Sequence, residues 1–537
     1  MSLLDRIISG CFPVRFCRWL ASFWRSSLAG RFAAAVAALW STSVAGSLWN
    51  RLLDAESHVP GSLYDRFVGR LHRAARRFGA FLSVQMRHSL FVRAGKALAS
   101  RFGSIFSGSL VVRLLKAFGF RRMLITAFVL YLPLDVILRD YIGFDLLSSL
   151  WDEAFLCLCV AYCIWRRLFR RVPRRTCTTP LDSPVLLYLS LGVCLLFVVS
   201  PDFSIALAGW RAVFQYMLWF FVLTRLFESD SDLDCFFGAA AVMITVLALH
   251  GIYQYVIGVE MPAGWTTSTE VGVRTRVYSI TTSCNIFGCL LVMFAPLVAS
   301  FAYTSKRLWQ KTLAWGAVGT VCLALLFTFC RGAWLAMVAA VVLFALLTDR
   351  RILAALGACV PVVTMIPSVA NRIVYLFTPE FAHASAVGGR SLRWDFGMQL
   401  FRENLLTGFG LGRFGGAVAM QNQTQKELTY FYLDNYYLKV MAEEGLFGIL
   451  VFAGLLAAIL LFGLRGHRRL GHPRSAPAVR SAALLSGMAG VMVHMYTENI
   501  LEVPYMNAYF WGFAAVLGYL CFVRGKAPLP IGKNKGK

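Results

Sequence analysis

The chain of 537 residues carries 53 Lys and Arg against 27 Asp and Glu, a formal net charge of +26, yet only 15% of it is charged and 58% is apolar, with 43 Phe and 14 Trp. That balance excludes an ordinary string of soluble domains and points to an all-α, polytopic integral membrane protein. Fourteen Cys are scattered mainly through apolar stretches without paired spacing, which excludes a zinc module and a secreted disulfide framework.

Residues 1–122 hold nineteen Lys and Arg against four acidic residues, interleaved with Phe, Leu, Trp and Val at helical spacing, as in SLYDRFVGRLHRAARRFGAFL at 62–82. The pattern predicts amphipathic helices lying on the cytoplasmic membrane surface, drawn to anionic lipids by about 1 kcal/mol per basic residue. A loose repeat (SLWNRLL at 47, SLYDRFV at 62, SLFVRAG at 89, SLVVRLL at 109) is too irregularly spaced for a solenoid. A nucleic-acid partner would fit the charge but leave the apolar faces unexplained, and no nucleic-acid module is recognisable. Docking to a protein partner is the remaining alternative. No secretory signal precedes the first span, so insertion is expected to rely on the spans themselves.

Twelve apolar segments of about membrane-crossing length follow, near 123–141, 146–165, 184–200, 205–226, 234–257, 278–302, 309–329, 332–348, 352–370, 433–464, 480–500 and 505–523. Alternate connections hold RRLFRRVPRR (166–175), Arg225, Lys306 with Arg307 and Lys311, Arg350 with Arg351, RGHRR (465–469) and the tail RGK. By the positive-inside rule these face the cytoplasm, which puts both termini inside and makes 526–537 a basic cytoplasmic tail. On the opposite side only a connection near 258–277 and a long loop at 371–432, before the tenth span, have room for a site.

That long loop carries Arg372, Arg390, Arg393, Arg402 and Arg413 on the side where arginine should be scarce, so a functional demand for cations is expected there. Arg211, in GWRAVFQYM, is a charge set inside an apolar segment and must face the bundle interior or a water-filled cavity, as a substrate contact or a structural salt bridge. Arg331 falls at an outer turn, where snorkelling to lipid phosphate is the plain alternative to a direct role. GLGRFG (410–415) matches G-x-G-x-x-G in letters only; with no preceding strand it predicts a tight turn, not a dinucleotide site. His250, His383 and His494 have no spacing that assembles a metal triad. Gln254, Glu498, Asn499 and Glu502 sit near the outer boundary, where they either line a sugar site or satisfy helix ends.

Four stretches carry a resemblance over about 120–525: RVYSITTSCNIFG (276–288), FTFCRGAWLAM (327–337), GRSLRWDFGMQLFRENLLTGFGLGRFG (389–415) and DNYYLKVMAEEGLFG (434–448). In their order and placement they resemble the O-antigen ligase and O-antigen polymerase superfamily of bacterial membrane glycosyltransferases. The resemblance implies a C-type glycosyltransferase-like architecture in the bacterial inner membrane. It implies transfer of a glycan from an undecaprenyl-diphosphate carrier to an acceptor hydroxyl at the outer face, with no nucleotide sugar, no cofactor and no metal.

It maps the family's outer-face arginines to Arg276 and Arg390, with Arg274 and Arg393 as neighbours, as the diphosphate-binding group. Asp434, followed by Asn435, stands where the family motif usually begins with His, and the resemblance makes it the catalytic candidate. An Asp can accept an acceptor proton, although its reference pKa makes it a weaker base than imidazole, and helix capping is its structural alternative. Arg211, Arg331 and Asn435 are further candidates. Ligase is the first expectation, with polymerase and protein O-glycosylation as alternatives inside the superfamily and a membrane transporter or a catalytically silent scaffold outside it. Glycan, acceptor and oligomeric state are left open.

Overall fold

The computed structural model describes residues 118–142, 145–169, 178–261, 275–281, 283–386, 389–424 and 432–525, together with isolated positions between 22 and 85. The amphipathic region at 1–122, apart from those positions and its last residues, and the tail 526–537 lie outside the described residues, as does Arg274. Among the described residues every regular element is a helix.

In chain order the helices are α1 (Phe120–Val129), α2 (Tyr131–Val136), α3 (Asp145–Phe169), α4 (Asp182–Val198), α5 (Phe203–Val213), α6 (Leu218–Leu226), α7 (Asp230–Ile257), α8 (Cys284–Thr304), α9 (Leu308–Phe327) and α10 (Arg331–Leu347). They continue as α11 (Arg351–Thr364), α12 (Pro367–Val374), α13 (Pro379–Ala386), α14 (Arg390–Glu403), α15 (Ala417–Gln421), α16 (Tyr436–Arg469), α17 (Ala476–His494) and α18 (Pro504–Gly518). Seven helical stretches among the described residues are long and apolar enough to cross a membrane: α5 with α6, then α7, α8, α9, α16, α17, and α18 with its continuation to Val523. α4 and α10 are shorter apolar helices.

The ninth expected span, 352–370, is not one straight helix. α11 and α12 meet at an angle of 87°. Pro367 opens α12, and a residue before proline is pushed out of the helical region; Ile366 accordingly takes φ −69°, ψ 122° and the axis turns there.

The most buried spans are α18, with 94% of its apolar window inside the protein, and α8 with 89%, whereas α9 has 22%. A helix that is apolar all round is either central or lipid-facing, so the first two form the axis of the bundle and α9 belongs to its rim. α8, α10 and α17 pack side by side around this axis. Close approach is set by small residues, as where a Cβ on Gly487 would lie 2.1 Å from the Met293 carbonyl oxygen.

One end of the bundle is tied by ion pairs to the acidic start of α7. Arg121 meets Asp232 at 3.0 Å, Arg166 meets Glu228 at 2.7 Å, Arg480 meets Asp234 at 2.5 Å and Arg524 meets Asp230 at 2.7 Å. Ser229 starts α7 with a reciprocal capping box through Asp232, so this acidic run both caps a helix and gathers arginines from other elements. The cations expected on the cytoplasmic side at 166 and 524 thus share one end.

At the other end the chain between α14 and α15 folds into a glycine-rich loop against a break in α16. Gly445 adopts φ 68°, ψ −161° inside α16, freeing backbone groups that the loop takes up. Phe409 N donates to Ala442 O at 2.8 Å, Gly410 N to Glu443 O at 3.1 Å and Leu446 N to Leu405 O at 2.8 Å. Gly408, at φ 75°, lies where a Cβ would be 2.3 Å from the Glu443 backbone, so only glycine fits both the dihedral and the space. Buried polar groups complete the joint: Lys439 Nζ sits 2.5 Å from Glu443 Oε2, Phe414 N donates to Glu443 Oε1 at 2.9 Å, and Tyr188 donates to Glu444 Oε1 at 2.9 Å.

Candidate functional site

The residues singled out in the sequence converge where α8, α10, α14 and α16 begin and α17 ends. Asn435 caps α16, its side chain accepting from Leu438 N at 3.1 Å. This settles the capping alternative for Asp434: the neighbour caps the helix, and the Asp434 carboxylate turns to the arginines instead. Arg390 Nε donates to Asp434 Oδ2 at 3.0 Å, and Arg393 Nη1 lies 3.6 Å from the same oxygen while donating to Tyr432 O at 2.7 Å. Arg390 also donates to Thr497 O at 3.4 Å.

Arg276 approaches from the connection between α7 and α8. Its Nε donates to Thr328 O at 3.0 Å and its Nη2 to Asn285 Oδ1 at 3.1 Å. The backbone that carries it is clasped by Gln254, whose Oε1 accepts from Tyr278 N at 3.1 Å and Ser279 N at 2.7 Å and whose Nε2 donates to Ser279 O at 2.9 Å. Gln254 therefore satisfies backbone groups of the segment that bears Arg276. Ser279 and Phe329 hold φ of 54° and 49°, strained for side chains that carry a Cβ, on the two segments that Arg276 bridges.

Glu498, between α17 and α18, joins the two halves. Asn285 Nδ2 donates to Glu498 Oε2 at 2.6 Å, so Arg276 reaches Glu498 through one amide. Asp434 and Arg390 both act electrostatically on Glu498, which is 3% exposed. Burial first, then the Asp434 charge, raise its carboxyl, and the Asn285 hydrogen bond and Arg390 draw it back, to about 7. Two carboxylates with unlike surroundings thus stand beside a set of guanidinium groups.

The other candidates fall around this cluster or away from it. Arg331 donates to Arg372 O at 3.1 Å and lies over the Phe381 ring at 5.4 Å, which ties α10 to α12 and α13. Arg372 is 5% exposed and acts electrostatically on Cys284, as Arg276 does. Cys330 Sγ lies 3.6 Å from His494 Nε2, but burial pushes its thiol up, which argues against a thiolate nucleophile. Arg413 stacks at 4.1 Å over Phe409 and donates to its carbonyl at 3.2 Å, a role inside the glycine-rich loop. Arg211 pairs with Glu153 across α5 and α3.

Sequence reasoning missed Asn285 and placed Glu498 only as one of several boundary polar groups. Asn285 lies in a quoted motif, and Ser283, which caps α8 by accepting from Asn285 N at 3.2 Å, marks the helix start. Its partner is 213 residues further on, and no local pattern reveals that pairing.

An all-helical bundle with several helices able to cross a membrane, bearing arginines and carboxylates gathered at helix ends, defines a polytopic membrane protein with a polar site at one end of its bundle. Residues 316–453 match the family model described as O-antigen ligase. The match spans α9 to the first part of α16 and includes Arg390, Arg393 and Asp434 but not Arg276 or Glu498. It supports an enzyme of cell-surface polysaccharide biosynthesis. No curated protein matches the chain.

Proposed function

We propose that the protein is a membrane glycosyltransferase that moves a glycan from an undecaprenyl-diphosphate carrier to an acceptor hydroxyl at the outer face of the bacterial inner membrane. The observation that carries this reading is the convergence of Arg390 and Arg393 on Asp434, with Arg276 joined to the same cluster through Asn285 and Glu498. Three guanidinium groups stand against the Asp434 carboxylate and a Glu498 carboxyl raised to about 7, an excess of cation suited to a diphosphate.

As the bond from the sugar's anomeric carbon to the diphosphate breaks, its electron pair passes to the diphosphate oxygen, where Arg276, Arg390 and Arg393 stabilise the charge. The acceptor oxygen forms the new bond to the anomeric carbon and gives its proton to the Asp434–Glu498 pair. Asp434, pinned by two guanidinium groups, orients the hydroxyl, and Glu498, with a pKa matched to neutral conditions, holds the proton. Position at helix ends favours this over transport, which needs its site near mid-span. Within the superfamily, ligation to a lipid-linked core is the first reading, with chain polymerisation and protein O-glycosylation sharing the same chemistry.

The test is reconstitution of the full chain with lipid-diphosphate glycan and candidate acceptors, comparing wild type with Arg276→Ala, Arg390→Ala and Asp434→Ala. Each substitution is expected to lower transfer by roughly 10²–10³-fold. Undiminished transfer in all three variants would refute the assignment.

A further inference from the structure

A cavity of about 260 Å³ lies between α3, α5, α15 and the turn Ile500–Glu502, beside the arginine cluster. Its polar wall is made by Glu153, Arg211, Gln215 and Glu502, and small side chains such as Ala208 and Ala417 leave the space open. Arg211 and Glu153 form an ion pair, and Arg211 Nε lies 3.4 Å from Gln215 Oε1. Glu153 sits about two turns inside α3 and Arg211 lies within the membrane-length stretch formed by α5 and α6, where exposure to lipid costs several kcal/mol. The Arg211 side chain nevertheless keeps 50% of its surface exposed, on the wall of this cavity.

The chemistry of the wall selects its ligand. Arg211 is already neutralised by Glu153, and Glu502 adds a second carboxylate, so a phosphate or diphosphate would meet net negative charge. Guanidinium and amide donors stand beside carboxylate acceptors within a largely apolar lining, and a sugar, with hydroxyl groups that donate and accept at once and apolar ring faces, matches that mixture. The volume suits a compact ligand.

The cavity is coupled to the arginine cluster through the backbone. Leu433 N, next to Asp434, donates to Gly415 O at 2.9 Å, and Gly416 packs so tightly on Glu502 that a Cβ there would lie 2.1 Å from its carboxylate. Glu502 follows Glu498 by four residues, and Tyr432 donates to the intervening Asn499 carbonyl at 3.4 Å.

We propose that this cavity is a saccharide subsite, binding a neutral sugar unit of the glycan through Arg211, Glu153, Gln215 and Glu502 at a distance from the reacting bond. The proposal rests on the glycosyl-transfer reading for its purpose, but its binding chemistry stands separately. Saturation-transfer NMR on the full chain in nanodiscs, with maltotriose and chitotriose as probes and spermidine as a cationic control, tests it. Transfer to at least one trisaccharide is expected, weakened about tenfold in apparent affinity in Gln215→Ala and in the charge-neutral pair Arg211→Met with Glu153→Gln, the scale of one or two lost hydrogen bonds.

No signal from either sugar, an equal signal in folded variants, or a signal from spermidine alone overturns it. Folding of each variant is checked by its thermal transition, and Gln215→Ala, which removes no charge, covers the case in which the double variant does not fold. Sugar binding that persists while wild type transfers nothing from a lipid-diphosphate donor would overturn the proposed reaction and leave the subsite standing.

Discussion

At the scale of single residues, the proposed reaction divides between Asp434 and Glu498 what one group does in a simpler site. Asp434 is fixed by two guanidinium groups, and Glu498 is buried, bonded to Asn285 and shifted to about 7. If the pair takes the acceptor proton, transfer should rise as pH passes through about 7, and Glu498→Gln should flatten that limb while keeping the side chain's shape; a limb unchanged in the variant would exclude Glu498 from proton transfer.

The same shift makes a stability prediction. Unfolded, Glu498 titrates near its ordinary value of 4.5, and folded near 7, so between these pH values the folded state holds more protons. Stability should therefore fall as pH rises from about 4.5 to about 7 and stay lower above it. Glu498→Gln should remove that fall, read as a thermal transition less sensitive to pH across this window.

At the scale of elements, the joint between the glycine-rich loop and the break in α16 sets where Asp434 and Arg390 stand. Gly408 has neither the room nor the dihedral for a side chain, whereas Gly238, inside α7, has nothing within 4 Å of a Cβ position. Gly408→Ala should cost roughly 1–3 kcal/mol and reduce transfer, while Gly238→Ala should be neutral or slightly stabilising. Comparable thermal transitions for the two variants would show that the close approach is not needed. Glu443→Gln, which leaves buried Lys439 without its charge partner, should destabilise by about 3–5 kcal/mol, measured by the same transition.

At the scale of the whole molecule, arginine clusters occupy both ends of the bundle for different reasons. The end at the start of α7 pairs its cations with Glu228, Asp230, Asp232 and Asp234 and matches the expected cytoplasmic side. The opposite end holds Arg276, Arg390 and Arg393 against fewer carboxylates. Proteolysis of epitope tags in sealed inverted vesicles should therefore expose tags at both termini and protect one inserted after Thr424. The reverse pattern would turn the proposed orientation over.

The sequence by itself determined the helical class and the presence of several membrane-length apolar helices, because a bilayer dictates segment length; Arg276, Arg390 and Asp434 became candidates through the family resemblance. It also made GLGRFG a turn, for want of a preceding strand. Only the tertiary structure decided that Asn435 and not Asp434 caps α16, that the 352–370 segment bends at Pro367, and that Gln254 clasps the backbone bearing Arg276. It alone joined Asn285 to Glu498 and set Arg211 opposite Glu153. Periodicity and composition are local quantities, whereas hydrogen bonds and ion pairs between residues far apart in the chain depend on how helices pack, which no local pattern encodes.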